Sequence, residues 1–521
     1  MFCFEYFNVM LVKTYGSAII GVNAVTVAVE VNVCQGIGFN MVGLPDNAVK
    51  ESTQRILSAV EISGYKIPGK RIIINLAPAD LKKEGTAYDL TIAIGILGAS
   101  GDVDAGTFDQ YVIMGELGLD GSLRPIKGAL PIAIEARRRH CKGIILPAVN
   151  AREAAIVNNL EVYGAKSLKE VIDFFNNKAT IEQTIVDTRA EFTQSLNNYE
   201  FDFADVKGQA NVKRALEIAA AGSHNAILIG PPGSGKTMLA KRMPSILPPL
   251  TLSESLETTQ IYSVAGKMRK EDSLISIRPF RSPHHTVSDA GLCGGGTNPQ
   301  PGEISLAHNG VLFLDELPEF KRTALEVLRQ PMEERRVTIS RAKTSIEYPA
   351  AFMLIAAMNP CPCGYYNHPT VECTCAPGAV HRYLNKVSGP LMDRIDLHIE
   401  VTPVPVAELG RTLPSESSAV IRERVIAARA IQTERFKNTP NVHCNAQMTS
   451  KLTRQHCALT DQCRTIMEQA MNRLGLSARA YDRILRVART IADLEASNQI
   501  TPTHLSEAIT YRSLDRESWG K

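Results

Sequence analysis

The chain lacks the sequence features of membrane-spanning and secreted proteins. None of its apolar runs approaches about 18 residues, so we expect no transmembrane helix. The N-terminus, Met1–Phe7, has no basic segment and no small-residue cleavage site, which argues against a signal peptide. The net charge is only +3, too small to indicate a nucleic acid or a membrane as partner by itself. Tryptophan is scarce, with one residue, but 44% hydrophobic and 21% charged residues are ordinary for a soluble globular protein.

One glycine-rich segment carries a specific chemical signal. An apolar run at residues 225–229 leads into a full G-x-x-x-x-G-K-T sequence, and a helical pattern follows from Met238. In this context backbone N–H groups surround the β-phosphate of a nucleoside triphosphate, and the helix N-terminus adds partial positive charge. An ordinary glycine turn is the alternative. We expect ATP and Mg²⁺ as cofactors, with Lys236 on the phosphates and Thr237 on the metal. The predicted nucleotide-binding residues are Gly230, Pro231, Pro232, Gly233, Ser234, Gly235, Lys236 and Thr237.

The pattern of apolar runs divides the chain into four predicted blocks. Residues 1–174 mix β-rich runs with helical stretches, and residues 175–203 are polar, as in a linker. In residues 204–404 apolar strands alternate with helices, which predicts a parallel nucleotide-binding sheet. Residues 405–521 have a helical pattern with arginine-rich faces. The predicted fold class is therefore α/β, with a helical C-terminal domain.

Two further strands of the predicted sheet end in polar residues. An apolar run ends at Asp315 and Glu316, and another ends at Asn359. In a P-loop ATPase, Asp315 would hold Mg²⁺, directly or through water, and Glu316 would orient the attacking water. Asn359 would hydrogen-bond that water or the γ-phosphate, because ligands of open α/β sheets gather at this edge. A buried strand with a solvated Asp-Glu pair is the alternative.

Four of the eleven cysteines lie close together in two C-x-C pairs. Four thiolates with paired spacing suit tetrahedral Zn²⁺, although C-x-C is tighter than the usual C-x-x-C. His368 and His381 are substitute ligands. Reduced surface cysteines are the alternative, since a chain with an ATP site is expected to be cytoplasmic. For His284 and His285 a solvated or pore-lining pair is favoured over metal ligation. The cysteines are Cys361, Cys363, Cys373 and Cys375.

Several longer motifs resemble one protein family. They are Arg278–Thr286, Gly294–Gly296, Pro301–His308 and Asn359–Gly364. With the phosphate loop and the two carboxylates in this order, they resemble the AAA+ superfamily and, within it, the magnesium-chelatase-like ATPases of the ComM/YifB type. The resemblance covers nearly the whole chain. It implies a homo-hexameric helicase that acts on single-stranded or branched DNA and promotes branch migration of recombination intermediates in natural transformation.

Two arginines are predicted to complete the catalytic set. Arg394 follows a turn, where an arginine finger would be supplied to the ATP of a neighbouring subunit. Its alternative is a surface ion pair with Asp393 or Asp396. Arg479 begins a predicted helix with Ser477 as N-cap, and it resembles the sensor 2 arginine that reaches the γ-phosphate from an AAA+ lid. Its alternative is a solvated helix face.

A basic hairpin is predicted just before the strand that ends at Asn359. Residues 334–348 contain two β runs around a short basic turn. The segment is similar to the hairpin that chelatase and MCM-type AAA+ proteins point into the pore of a ring. Arg341 and Lys343 would there grip phosphates, giving salt-sensitive and sequence-independent DNA binding. An exposed hairpin with ordinary surface charges is the alternative.

The N-terminal block resembles the Lon-protease proteolytic fold, which is ribosomal S5 domain 2-like. The resemblance rests on Gly115–Gly128 and Gly143–Asn150. Lon uses a Ser/Lys dyad, but Ala87 stands at the position aligned with the nucleophile, and Leu130–Ile132 replaces the segment of the lysine. Both chemical groups are missing, so we expect a scaffold or a substrate-engaging module without protease activity.

Two classes of function stay open at this point. A DNA motor predicts ATP hydrolysis that DNA stimulates and a loss of function when Lys343 is neutralised. A magnesium-chelatase-like ATPase that remodels a partner protein predicts neither. The family resemblance also makes Met10 an alternative to Met1 as the first residue.

Overall fold

The fold is described by a computed structural model. It describes residues 11–195, 199–269, 272–296, 298–340, 345–368, 370–404 and 415–512. The chain divides into two compact units, of which the first comprises residues 1–195 and 252–275 and the second residues 196–251 and 276–521. Among the residues that the structure describes, no helix is both long and apolar enough to cross a membrane.

The strands belong to two larger sheets and three two-stranded ribbons. In chain order they are β1 (Leu11–Ile20), β2 (Asn23–Cys34), β3 (Gly38–Val42), β4 (Arg71–Ala77), β5 (Tyr111–Ile113), β6 (Glu116–Leu117), β7 (Leu123–Arg124), β8 (Gly143–Pro147), β9 (Glu161–Ala165), β10 (Ala226–Ile229), β11 (Phe280–Arg281), β12 (Gly294–Gly295), β13 (Gln300–Pro301), β14 (Val311–Leu314), β15 (Arg336–Ser340), β16 (Ser345–Pro349), β17 (Met353–Met358) and β18 (Leu397–Glu400).

The α-helices are interspersed with the strands until residue 400, and the described residues after it form helices without strands. They are α1 (Asn47–Ile62), α2 (Asp89–Ser100), α3 (Ala129–Arg138), α4 (Ala148–Ala154), α5 (Leu168–Phe175), α6 (Thr188–Ser195), α7 (Ala210–Gly222), α8 (Lys236–Lys241), α9 (Met243–Ile246), α10 (Leu252–Ala265), α11 (Asp289–Cys293), α12 (Glu303–Leu306), α13 (Arg322–Glu326), α14 (Arg329–Glu334), α15 (Ala379–Leu384), α16 (Gly389–Met392), α17 (Ser418–Phe436), α18 (Ser450–His456), α19 (Asp461–Leu474), α20 (Ala478–Leu494) and α21 (Pro502–Thr510). Short 3₁₀ helices lie at Phe108–Gln110, Phe203–Asp205, Leu317–Glu319 and Asn445–Gln447.

The first unit is built on a mixed seven-stranded sheet in the order β3-β4-β2-β1-β5-β8-β9. β1 and β2 form an antiparallel hairpin, whereas β5, β8 and β9 pair in parallel. Alternate residues of β2, Val27, Val29 and Val31, are fully buried, as a strand with one face on the core requires. Helix α2 packs against β1 and β2, and all its residues except the last are buried. The Lon-protease likeness of this unit stays a prediction.

The positions predicted to lack the Lon dyad hold no replacement nucleophile. Ala87 is partly buried, and Leu130, Pro131 and Ile132 are buried in α3. Beside Ala87, the Asp89 carboxylate forms an ion pair with Arg55, with 2.6 Å between Arg55 Nε and Asp89 Oδ2. The expectation of a module without protease activity stays a prediction.

The segment Leu252–Ile275 belongs to the first unit, although the predicted boundaries placed it inside block 204–404. Its α10 packs against α3, and the Ser263 hydroxyl donates a hydrogen bond to the Glu153 carboxylate. Burial raises the pKa of Glu153, whose Oε1 also accepts a hydrogen bond from Leu130 N at 3.0 Å. Four of the six buried residues of α10 are Ser or Thr, so the sequence of this helix does not indicate which core it joins. The block of residues 204–404 is therefore not one contiguous compact unit.

The second unit contains a five-stranded parallel sheet in the order β11-β14-β17-β10-β18. The central strands β10, β14 and β17 are buried along their whole length. Such unbroken burial is expected of a parallel sheet covered on both faces. The predicted parallel sheet in this part of the chain is confirmed by these pairings.

The C-terminal part of the second unit is helical, as predicted. Ser477 is the N-cap of α20, and its hydroxyl accepts a hydrogen bond from Ala480 N at 3.2 Å. Helices α17 and α20 pack against α7, beside the parallel sheet. An apolar stripe of α20 is buried, and its residues are Ile484, Ala488, Ile491 and Ala492.

Candidate nucleotide-binding site

The predicted ATP residues meet at one edge of the parallel sheet. β10 runs directly into the phosphate loop, β14 into Asp315 and β17 into Asn359. The register pairs Ile229 with Met358 and Leu314 with Ala356, so the three strands end side by side. Ligands of open parallel sheets bind at this edge. The fold thus brings together residues that are up to 129 positions apart between Gly230 and Asn359.

Lys236 is the first residue of α8 and is buried, and its side chain extends back into the phosphate loop. Its ammonium donates hydrogen bonds to Gly230 O at 2.7 Å, to Pro231 O at 2.9 Å and to Asn359 Oδ1 at 3.2 Å. Burial lowers the pKa of Lys236, and the nearby Asp315 carboxylate opposes this shift. The lysine is therefore held by carbonyl groups of its own loop, which phosphate oxygens would replace when a nucleotide binds.

Two glycines of the loop are required by the backbone itself. Gly235 is the N-cap of α8 and has a φ of 89°, in the left-handed region that favours glycine. A Cβ on Gly230 would lie only 2.2 Å from Val401 O, so no larger residue fits where β10 leaves the sheet. These constraints give the G-x-x-x-x-G spacing a structural reason in this chain.

Thr237 and Asp315 have the geometry of a magnesium pair. The Thr237 hydroxyl donates a hydrogen bond to Asp315 Oδ2 at 2.6 Å. Adjacent oxygens around an octahedral Mg²⁺ with bonds of about 2.1 Å lie about 3.0 Å apart. The two oxygen donors are therefore already near the separation at which both can ligate one ion, and the donor set suits a hard cation.

Glu316 sits at a strained position beside a histidine. Its φ of 52° lies in the left-handed region, which a non-glycine residue seldom adopts. Glu316 Oε2 is 3.3 Å from His285 Nδ1, and the His284 and His285 rings lie tilted by 34° at a centroid distance of 4.0 Å. The sequence favoured a solvated or pore-lining position for this histidine pair. In the structure His284 is exposed and His285 is partly exposed, as expected of a solvated pair, and His285 contacts the carboxylate predicted to orient the attacking water.

The two predicted catalytic arginines lie in different environments. Arg394 is 14% exposed, and its Nη2 lies 2.6 Å from Oε1 of Glu333 on α14 rather than beside either predicted aspartate. Arg479 is 71% exposed, and its Nη1 lies 3.6 Å from Asp393 Oδ2. Their roles as arginine finger and sensor 2 stay predictions. An Arg394 that serves a neighbouring subunit must first leave Glu333.

A buried polar network joins the sheet to the C-terminal helices and was missed in the sequence. Asp396 Oδ1 is 2.5 Å from Arg483 Nη1 on α20, and Asp396 Oδ2 is 3.1 Å from His224 Nδ1. The other ring nitrogen of His224 is 2.8 Å from Thr490 Oγ1, also on α20. Burial alone would raise the pKa of Asp396, but Arg483 and His224 hold it well below its usual range. Because the partners are far apart in sequence, no local motif could reveal them.

The four clustered cysteines follow Asn359 in the chain, next to the sheet edge where the predicted ATP residues meet. Their sulfur atoms all lie within 4.8 Å of one another, and no other such metal-binding group is found in the described part of the chain. Cys361 Sγ also accepts hydrogen bonds from Gly364 N at 3.2 Å and Tyr366 N at 3.3 Å. The predicted clustering of these residues is thus compatible with a zinc site.

The predicted basic hairpin is present as an antiparallel ribbon of β15 and β16. The pairing runs from Arg336 opposite Pro349 to Ser340 opposite Ser345. The connecting residues, which include Arg341 and Lys343, lie outside the described residues. Their contact with DNA stays a prediction.

Comparison with known proteins places the chain in a family. Residues 202–409 match the family model described as magnesium chelatase, subunit ChlI, residues 29–150 match that of subunit ChlI of Mg-chelatase, and residues 415–512 match that of its C-terminal part. The chain is 45% identical to competence protein ComM of Haemophilus influenzae, over 97% of this chain and 98% of that protein. The chain belongs to the ComM/YifB-type, magnesium-chelatase-like proteins. The YifB protein of Escherichia coli, another relative, is 46% identical over 96% of each chain.

Family membership agrees with the geometry of the site. Magnesium-chelatase ChlI proteins are AAA+ ATPases, which supports ATP hydrolysis with Mg²⁺ by this chain. A weaker similarity links it to DNA replication licensing factor mcm6 of Dictyostelium discoideum, at 21% identity over 58% of this chain and 32% of that protein. The name of that relative indicates a role connected with DNA.

Proposed function

We propose that the chain is an ATP-driven motor that acts on single-stranded or branched DNA. In this proposal it assembles as a hexameric ring with helicase activity and promotes branch migration of recombination intermediates in natural transformation. The observation that carries the proposal is the β15–β16 hairpin, which leaves the sheet between the strand of Asp315 and the strand of Asn359. The hairpin lies between β14 and β17 in the chain, so DNA bound to the hairpin is connected to the strands that precede Asp315 and Asn359.

The ATP chemistry is assigned to residues at the strand ends. Lys236 binds the β- and γ-phosphates once its loop carbonyls release it, and Asn359, its hydrogen-bond partner at 3.2 Å, positions the attacking water. Thr237 and Asp315 would hold Mg²⁺, which would supply positive charge against the phosphates. Glu316 accepts the proton of the water or orients it, and His285 fixes the direction of this carboxylate.

The DNA contact is assigned to the basic residues of the hairpin. Arg341 and Lys343 are the cations between β15 and β16, whereas Arg336 on β15 has its Nη1 3.3 Å from the Glu347 carboxylate of β16. Cations that neutralise phosphates release counterions, so the binding weakens steeply with salt and depends little on base sequence. A hexameric ring would place six such hairpins around one strand.

The assembly is supported by the position of Arg394. This arginine is held at Glu333, on the helix that leads into the hairpin, and not at the phosphate loop of its own chain. An arginine finger acts in trans, so the proposal requires a neighbouring subunit whose ATP it completes. Because Glu333 lies on the helix that leads into the hairpin, DNA that moves the hairpin would also move Glu333 and release Arg394.

The proposed role in transformation rests on the relative named competence protein ComM, which matches the chain end to end. The family descriptions also support a second candidate, an ATPase that remodels a partner protein as a magnesium-chelatase subunit would. The two candidates share the ATP site and differ in whether DNA changes the rate of hydrolysis. We also infer that structural Zn²⁺ is bound by the four clustered cysteines.

The test is ATP hydrolysis by the purified full chain with and without single-stranded and branched DNA. We expect DNA to raise the rate, Lys236→Ala to abolish hydrolysis, and Lys343→Ala to reduce the stimulation without changing the basal rate. Lys437→Ala is the matched control, because Lys437 is an exposed lysine, 67% accessible, on the same unit. Equal rates with and without DNA would overturn the motor proposal and favour the partner-remodelling ATPase.

A further inference from the structure

The cysteine cluster contacts two separate elements of the ATP site. Cys361 is buried and follows Asn359 by two residues, so the first thiol is tied to the end of β17. Gly364, which lies between the two cysteine pairs, packs against the phosphate loop. A Cβ on Gly364 would lie 2.5 Å from Pro232 Cδ and 2.9 Å from Pro232 Cγ. The loop of residues 361–375, which carries the four cysteines, therefore begins beside Asn359 and contacts the phosphate loop at Pro232.

The sulfur geometry fits one tetrahedral metal ion. The sulfur–sulfur separations are 3.2 Å between Cys361 and Cys363, 3.5 Å between Cys363 and Cys373 and 3.8 Å between Cys361 and Cys373. Thiolates bonded to Zn²⁺ at about 2.3 Å lie about 3.8 Å apart at the corners of a tetrahedron. The backbone N–H groups that point at Cys361 Sγ stabilise a thiolate charge, as the outer contacts of metal ligands do.

We propose that Zn²⁺ in this cluster is a positioning element for nucleotide binding. The metal fixes the loop after Asn359, the loop presses Gly364 against Pro232, and this contact holds the phosphate loop in its binding geometry. The inference rests on the proposed ATP site but not on the proposed DNA substrate. Without the metal, no bond holds the four sulfur atoms together. The loop is then free to move, and Gly364 no longer holds Pro232 in place.

The experiment measures zinc content and nucleotide affinity on the same full-length preparations in the absence of DNA. Zinc is quantified by plasma mass spectrometry, and the dissociation constant of a fluorescent ATP analogue is measured by titration. We expect one zinc ion per wild-type chain. Cys373→Ser should lose the zinc and bind the nucleotide about tenfold more weakly, a smaller loss than the roughly 10²-fold in rate that a 1 Å misplacement can cost an active site. Cys34→Ser, which removes a thiol of the first unit outside the cluster, should change neither quantity.

A second pair of variants separates the contact from the metal. Gly364→Ala keeps all four thiols but drives a methyl group into Pro232, so it should retain zinc and still weaken nucleotide binding. Gly378→Ala is its control, because Gly378 also has a positive φ, 76°, but a methyl group placed on it would have no neighbouring atom within 4 Å. Should Cys373→Ser fail to fold by circular dichroism, this pair alone decides the positioning claim.

Each outcome supports or overturns the inference. A wild-type chain that contains no zinc after purification without chelators, or a disulfide in place of the metal, would overturn the metal site. Wild-type nucleotide affinity in both zinc-free Cys373→Ser and Gly364→Ala would overturn the positioning role. A failure of DNA to stimulate hydrolysis would leave both readouts unchanged, so it is distinguishable from a failure of this inference.

Discussion

Replacing Asp396 by asparagine tests the buried network that joins the sheet to α20. Asp396→Asn keeps the shape of the side chain but removes the negative charge that faces Arg483 at 2.5 Å and His224 at 3.1 Å. Removal of one partner of a buried ion pair costs about 3–5 kcal/mol, because it leaves the other charge buried and unpaired. With about 1.4 kcal/mol for each factor of ten, the lower value predicts that α20 opens on the order of 10²-fold more often.

The assay for this prediction is hydrogen exchange of the α20 amides at pH 7, followed by mass spectrometry. The control is Asp393→Asn, because Asp393 is 36% exposed and its contact with Arg479 is a long 3.6 Å. Exposed pairs contribute about 0–1 kcal/mol, so the control should exchange within about fivefold of the wild type. Equal exchange in the two variants would refute the reasoning.

The pH dependence of this stabilisation has a definite sign. The folded-state pKa of Asp396 is depressed, because Arg483 and His224 outweigh the effect of burial. The stabilisation is therefore complete above the unfolded-state pKa of about 3.9 and is lost as pH falls toward the folded-state value. The difference between wild type and Asp396→Asn should be full at pH 7 and shrink below about pH 4.

Three further variants test the catalytic assignments. Glu316→Gln should bind ATP with wild-type affinity but hydrolyse it about 10²–10⁴-fold more slowly, as shown by comparing titration with phosphate release. His285→Ala, which removes the contact with Glu316 at 3.3 Å, should lower kcat with little change in nucleotide affinity, and an unchanged kcat would contradict its positioning role. Arg394→Ala should lower hydrolysis by about 10³-fold or more in the assembled protein at unchanged affinity. A low concentration of wild-type chain is then added to Arg394→Ala. If hydrolysis by the variant does not increase, Arg394 does not act in trans.

The meeting of the candidate ATP residues at one sheet edge was predictable because these residues lie in local motifs. Each motif follows a buried apolar run, as Asp315 follows β14 and Asn359 follows β17, so the order of strands was enough to bring them together. The N-cap role of Ser477 was predictable for the same reason, since it depends only on the next few residues.

The features that escaped prediction depend on contacts distant in sequence. Asp396 is 172 positions from His224 and 87 from Arg483, and nothing near Asp396 indicates that it is buried. His285 reaches Glu316 only through the folding of the intervening chain. The membership of α10 in the first unit likewise follows from its packing against α3, which apolar periodicity does not encode.

The central claim, an ATP-driven DNA motor, is tested most directly by branch migration. Purified protein is mixed with a labelled three-strand junction and ATP, and the displaced strand is measured over time beside Glu316→Gln and a sample without Mg²⁺. We expect strand displacement by the wild type alone, at a rate that falls as salt rises. Hydrolysis of ATP without any displacement, or displacement by Glu316→Gln as fast as by the wild type, would contradict it.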